Sequence, residues 1–326
     1  DYRVCGMSER VYCSELAQAA DTQLAGTAVH VEMWLLIEYA RPWKPKALLD
    51  NDLEQEVSEH INALVTEAES LGVKLRLQFI KQGSSTDQPS PRLFLADVRL
   101  EEGRRSAASP VRLLAGSLKQ FKDLLSLNAA QIIRFELPEI VAPQASDDSL
   151  LLVCTNGQRD LCCAKFGLPL FEALRIEYGS RVWQTTHIGG HRYAPNLLCL
   201  PSGIVYGFVD PAIGVDLVAG HDDGQIQFEK IRGRSCYPPL LQAAEYFLWQ
   251  QVESLTVVGL WVEDEQAGRV SFTVELGGET RTGKAQIEKV ALPLAVASCG
   301  AESKPDAAYK LRELNIEGEI DGGTTG

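Results

Sequence analysis

Leu150-Leu-Leu-Val-Cys154-Thr-Asn-Gly-Gln-Arg-Asp-Leu-Cys162-Cys163 begins with a short apolar run that reads as a buried strand, and its first thiol falls where that strand ends. The next two thiols then lie on the loop that follows. Pro169 to Tyr178 is amphipathic, with Pro169 suited to a first helical position and Gly179 to a stop. Arg181 to Thr186 reads as a second strand and runs straight into His187-Ile-Gly-Gly-His191. The two glycines permit positive φ and close approach, which lets two imidazoles turn toward one point. Leu197 to Leu200 and Ile204 to Phe208 form a hairpin across Pro201-Ser-Gly203, and Asp210-Pro211 caps a helix reaching Ala219.

Moving toward the N-terminus, Val31 to Tyr39 is an apolar, β-favouring run that stops at Arg41-Pro42. Asp52 to Leu71 places Leu53, Val57, Ile61, Leu64 and Val65 at helical spacing, with Gly72 as the stop. Val73 to Ile80 and Arg92 to Leu100 read as strands across a polar loop, 83 to 91, and Leu118 to Leu127 as a helix. This β-α-β-β-α order is that of a thioredoxin-like unit, and the element order after Pro143 repeats it, although no residue-level repeat accompanies it. Toward the C-terminus, Pro238 to Val252 reads as a helix, and Leu255 to Trp261, Arg269 to Leu276 and Thr280 to Val290 as strands joined by turns. The expectation is an α/β protein: a divergent, possibly thioredoxin-like α/β unit over residues 1–143, a thioredoxin-like unit with a mixed sheet and flanking helices over 144–233, a β-rich extension over 234–316, and a disordered acidic tail over 317–326.

With 326 residues, 45% of them hydrophobic, the chain can bury a substantial core. Its net charge of −13 disfavours nucleic acid and anionic membranes as partners. No stretch approaches the roughly 20 apolar residues that cross a bilayer, and no signal-peptide pattern opens the chain, so the expected location is the cytoplasm. There, thiols stay reduced, and the informative question is whether any of the eight cysteines gather with histidine. Cys199, Cys236 and Cys299 read as small buried hydrophobes, and Cys5 and Cys13 as residues of a mobile start. His30, His60 and His221 read as structural. Three cysteines crowd into positions 154 to 163, however, and two of only five histidines share one pentapeptide.

Thiolates and imidazoles are favoured ligands of both zinc and iron–sulfur clusters. Structural zinc sites prefer cysteines two to four residues apart, and Cys154 and Cys163 have eight between them, which leans toward a wider cluster without deciding the matter. At these residues the chain resembles the sucrase/ferredoxin-like family, whose pattern is Cys-x8-Cys followed by His-x-Gly-Gly-His. Flanking stretches are similar too: Gly157-Gln-Arg-Asp-Leu-Cys-Cys-Ala-Lys-Phe-Gly167, Arg192-Tyr-Ala-Pro-Asn196, Leu200-Pro-Ser-Gly203 and Arg232-Gly-Arg-Ser-Cys-Tyr-Pro-Pro239. The resemblance is strong from about 150 to 245 and weaker before it.

The resemblance implies a thioredoxin-like ferredoxin unit with a [2Fe–2S] cluster, Cys154 and Cys163 on one iron and His187 and His191 on the other. Cys162, one step from Cys163, is the competing ligand. Neutral imidazoles on one iron raise the potential above that of all-cysteine plant-type ferredoxins, as in Rieske centres, and couple electron uptake to a proton. Arg159, Lys165 and Arg192 lie beside the ligands in sequence as candidates for tuning them. The implied role is one-electron transfer or redox sensing with a partner reductase or acceptor, and no catalytic residue is assigned. Three rival readings stand beside it: a zinc-stabilised binding module; a thiol oxidoreductase, for which the Cys-x-x-Cys spacing is absent; and a sucrose-cleaving hydrolase, for which no carboxylate pair stands in a recognisable motif.

Overall fold

The computed structural model describes residues 11–83, 90–99, 112–251 and 256–317. Cys5, most of the 83–91 loop and the acidic tail beyond Glu317 lie outside them. The helices are α1 (Cys13–Ala19), α2 (Gln55–Ser70), α3 (Ala129–Ile133), α4 (Leu161–Tyr178), α5 (Pro211–Asp222) and α6 (Pro239–Gln251). The strands are β1 (Met33–Glu38), β2 (Leu75–Lys81), β3 (Arg92–Asp97), β4 (Leu113–Ser117), β5 (Gln144–Ala145), β6 (Leu150–Cys154), β7 (Val182–Thr185), β8 (Leu197–Leu200), β9 (Ile204–Tyr206), β10 (Ile231–Arg234), β11 (Thr256–Asp264), β12 (Arg269–Leu276), β13 (Glu279–Val296) and β14 (Ser303–Ile316).

The first ten strands form one mixed sheet in the order β10-β9-β8-β6-β7-β2-β1-β3-β4-β5. Its centre is the antiparallel contact of β2 with β7. On one side β1 runs parallel to β2 and antiparallel to β3, which pairs with β4. On the other side β6 repeats the arrangement, parallel to β7 and antiparallel to β8, which pairs with β9. Each half is a β-α-β unit followed by a hairpin, with the crossover helix α2 or α4 between the parallel strands. The topology of one thioredoxin-like unit therefore occurs twice, and the two copies meet edge to edge.

Burial on both faces explains the apolar runs. Along β1, Trp34 and Leu36 join one hydrophobic cluster and Met33, Leu35 and Ile37 the other, and all five are fully buried. Val57, Ile61, Leu64 and Ala68 of α2 cover the second face, and Gly72, with φ of +83°, ends the turn that follows this helix. The last four strands form a separate antiparallel sheet, β11-β12-β13-β14. Its Val257, Leu260, Phe272 and Val274 pack with Leu240, Leu241, Ala244 and Leu248 of α6 in the first cluster, so the extension shares the core that carries β6.

Four expectations are corrected. α4 begins at Leu161, eight residues before Pro169, because Asp160 caps it by accepting from the Cys162 N–H at 2.9 Å. Cys162 and Cys163 therefore stand in the first turn of a helix, not on a loop. The 118–127 segment carries a 3-10 helix over Phe121–Ser126. β13 extends to Val296, and its partner β14 falls in a stretch that had no strand reading.

Candidate metal centre

The register of the sheet brings the candidate ligands together. β6 runs between β7 and β8, and Cys154 at its end pairs with Thr185 at the end of β7. The loop that leaves β7 therefore arrives beside Cys154 with His187 on it. Cys163 reaches the same place from the first turn of α4. That helix can pack this closely because residue 167 is glycine: a Cβ there would run into the Cys154 carbonyl. The Cys154 and Cys163 sulfurs lie 3.9 Å and 3.7 Å from His187 Nδ1, and the three ligand atoms all fall within 4.8 Å of one another.

His191 stands next to this trio. Its ring centroid is 4.9 Å from that of His187, at an interplanar angle of 30°. Gly189 and Gly190 between them have φ of +92° and +69°, which turns the chain back on itself. His191 Nε2 lies 3.8 Å from Asp160 Oδ2, while its Nδ1 is buried with no hydrogen-bond partner among the described residues. Burial holds the His191 pKa below its ordinary value and keeps the ring neutral, as a ligand must be. The hydrogen bond from Cys163 holds Cys154 well below the usual thiol range against the cost of burial, and the same bond pushes Cys163 up.

Two arginines, one buried and one half-buried, secure the loop. Arg232, 1% exposed, donates from Nη1 to Gly189 O at 3.0 Å and to Asn196 Oδ1 at 2.8 Å, and from Nε to Thr27 Oγ1 at 3.1 Å. Arg76 donates from Nη2 to His187 O at 2.8 Å. Burial lowers both pKa values, that of Arg232 to about 10. Neither has a carboxylate partner among the described residues. One buried and one half-buried guanidinium without a carboxylate partner among the described residues, close to the Cys154 thiol, together with an orphaned imidazole nitrogen, make a setting that suits an anionic metal group.

A model of one family matches residues 24–233, a span that includes all of these side chains: the sucrase/ferredoxin-like family. The chain belongs to that family. Over 121 residues it is 31% identical to altered inheritance of mitochondria protein 32 of the yeast Meyerozyma guilliermondii, a match that covers 28% of this chain and 43% of that protein. The chain thus spans less than half the length of this curated relative. Two structures of the thioredoxin-like [2Fe–2S] ferredoxin from Aquifex aeolicus, one a cysteine-to-serine variant, are each 17% identical and 97% covered. They align with 28% and 26% of this chain at TM-scores of 0.25 and 0.23.

The remaining candidates divide. Lys165 pairs with Glu15 at 2.9 Å and Arg192 with Asp306 at 2.5 Å, so both are spoken for away from the ligands. Arg159 is exposed on the rim of an open cleft of about 270 Å³ that reaches His187 and is also lined by Lys46, Leu48, Arg76 and Asn156. Cys162 points away from the trio, toward Cys13 and Cys299. Sequence reading passed over Arg76, Arg232 and Asp160. For Asp160 a signal existed, an N-cap residue just before Leu-Cys-Cys; for the arginines there was none, because charged residues read as surface.

Proposed function

We propose that this member of the family is a one-electron carrier or redox sensor that holds a [2Fe–2S] cluster through Cys154, Cys163, His187 and His191. The observation that carries the reading is the convergence of the two thiols and His187, from three separate elements, beside the unpartnered Nδ1 of His191. When bound, such a group supplies reversible one-electron chemistry at a potential raised by its imidazole ligands. The surrounding side chains do the rest. The Asp160 carboxylate lies 3.8 Å from Nε2 and its negative charge favours a proton on that nitrogen, which would leave the unpartnered Nδ1 as the ligand atom of His191. His187 uses Nδ1 toward the sulfurs, which leaves Nε2 as the atom at which a proton is held or released when the charge changes. Arg76 and Arg232 fix the backbone of the loop and offset added negative charge.

The cleft beside His187 gives a redox partner protein a route to that ligand, its rim carrying Lys46 and Arg159 on a chain of net charge −13. The decisive experiment is absorption and EPR spectroscopy of anaerobically purified protein, wild type against His187→Cys and His191→Cys. The expected outcome is a red-brown protein whose reduced-state spectrum changes in both variants. A colourless protein with zinc on these residues, or a spectrum indifferent to both substitutions, overturns the reading. Coupling to a proton is read separately, as a midpoint potential that falls with rising pH across the neutral to alkaline range.

A further inference from the structure

Beside the cluster ligands, but on the other side of Asp160, lies a second gathering of soft ligands. The sulfurs of Cys13, Cys162 and Cys299 form a nearly equilateral triangle: 3.4 Å from Cys13 to Cys162, 3.3 Å from Cys162 to Cys299 and 3.7 Å from Cys299 to Cys13. Asp160 Oδ1 is 3.9 Å from the Cys13 sulfur, and the four ligand atoms all lie within 4.8 Å of one another. The three thiols come from α1, from the first turn of α4 and from the turn between β13 and β14. Cys13, Asp160 and Cys162 are buried, Cys299 is partly buried, and Tyr12, Phe166, Ala194 and Val296 pack around them.

We propose that Cys13, Cys162, Cys299 and Asp160 form a second metal site that binds one zinc ion as a structural clamp. The argument is geometric. A tetrahedral zinc with bonds to sulfur of about 2.3 Å separates its sulfurs by about 3.8 Å; the longest edge here, 3.7 Å, matches this, and the other two, 3.4 Å and 3.3 Å, fall within about 0.5 Å of it. A disulfide instead draws one pair to about 2.05 Å and leaves the third sulfur out, which an even triangle does not resemble. The fourth ligand is held in place. Asp160 Oδ1 accepts from the Cys162 N–H at 2.9 Å, and Oδ2 accepts from the Ser298 hydroxyl at 2.9 Å and the Cys299 N–H at 3.0 Å. One lone pair of Oδ1 remains for a cation. Three thiolates and a carboxylate select a borderline-soft ion such as zinc over calcium or magnesium. Binding changes no oxidation state: the three thiol protons pass to solvent as three sulfur–zinc bonds form.

The clamp would tie residues 13, 162 and 299 into one unit, joining the N-terminal helix and the C-terminal hairpin to the helix that carries Cys163. It would also fix Asp160, whose Oδ2 faces His191 at 3.8 Å. The inference stands independently of the proposed electron-transfer role, because the two sites share no ligand and hold different elements.

The test is elemental analysis of the full chain. Wild type is expected to carry one zinc per chain in addition to its iron, and a His187→Ala/His191→Ala variant to lose iron while keeping zinc. Cys13→Ser and Cys299→Ser are expected to weaken zinc retention against a chelator on the order of a hundredfold or more. Chelator-treated wild type titrated with cobalt(II) supplies a readout that needs no variant to fold: one equivalent gives the sulfur-to-cobalt charge-transfer band and strong visible bands of a tetrahedral thiolate site. Failure of chelator-treated wild type to take up zinc or cobalt overturns the proposal. So does loss of zinc together with iron in the His187→Ala/His191→Ala protein, or a Cys13–Cys162 disulfide in the native chain by mass spectrometry.

Discussion

Cys162 and Cys163 are neighbours in the first turn of α4, yet their sulfurs belong to different groups, Cys163 to Cys154 and His187, Cys162 to Cys13 and Cys299. Successive residues on a helix are turned about 100° apart, so two adjacent thiols cannot face one point, and the Asp160 cap sets which way each looks. The competition between them that the sequence left open becomes a prediction. Cys163→Ser is expected to lose most of its iron and its visible absorption, and Cys162→Ser to keep both. Iron determination and absorption spectra of the two proteins check this, and equal loss in both would sink it.

Gly190 packs against Arg232 so closely that a Cβ at that position would overlap the guanidinium, and its φ of +69° is a conformation that side chains resist. Gly190→Ala therefore strains the backbone and displaces the arginine that holds Gly189 and Asn196. The expected cost is about 2–4 kcal/mol of stability, from the left-handed residue and the overpacking together, and reduced iron loading accompanies it. Urea unfolding and iron content measure the two effects. A variant as stable and as fully loaded as wild type would show that the loop has slack which this packing denies.

What could be read from the sequence was what short-range pattern encodes. β1 and α2 are legible because burial on two faces makes one continuously apolar and burial on one face gives the other its helical spacing. The glycine-spaced histidines were visible for the same reason, being local. Cys13 and Cys299 are 286 positions apart, and no local pattern announces that the fold brings their sulfurs to 3.7 Å. β14 was missed because its Lys, Asp, Glu and Pro305 look unlike a strand; it pairs with β13 through its backbone while half of its side chains are exposed. Pro169 misled because its fixed φ suits a first helical turn as well as the interior position it occupies in α4.

Arg76, half-buried at the edge of the cleft, donates to the His187 carbonyl. A cation near a group that gains an electron stabilises the reduced state. In an effective dielectric of about 20, a unit charge several ångströms from such a group contributes on the order of 2 kcal/mol, or tens of millivolts for one electron. Arg76→Gln is expected to retain iron and to lower the midpoint potential by that order. A potentiometric titration reads it; an unchanged or raised potential would remove Arg76 from the groups that tune the site.

His221 supplies a pH dependence away from both proposed metal sites. Its Nδ1 lies 2.9 Å from the Tyr206 hydroxyl and its Nε2 3.1 Å from that of Ser202. Burial, with Arg234 nearby, lowers its pKa from 6.5 to about 4. As pH falls, the unfolded chain therefore takes up this proton first, near 6.5, while the folded chain resists until about 4. The stability tied to a neutral His221 is fully present above 6.5 and drains away as pH falls to 4, up to about 3 kcal/mol for a shift of this size. His221→Gln, which cannot titrate, lacks that slope. Urea denaturation of both proteins at a series of pH values is expected to show wild type losing stability faster than the variant through this acid window. Two curves that fall in parallel would mean that the folded chain protonates His221 as readily as the unfolded one.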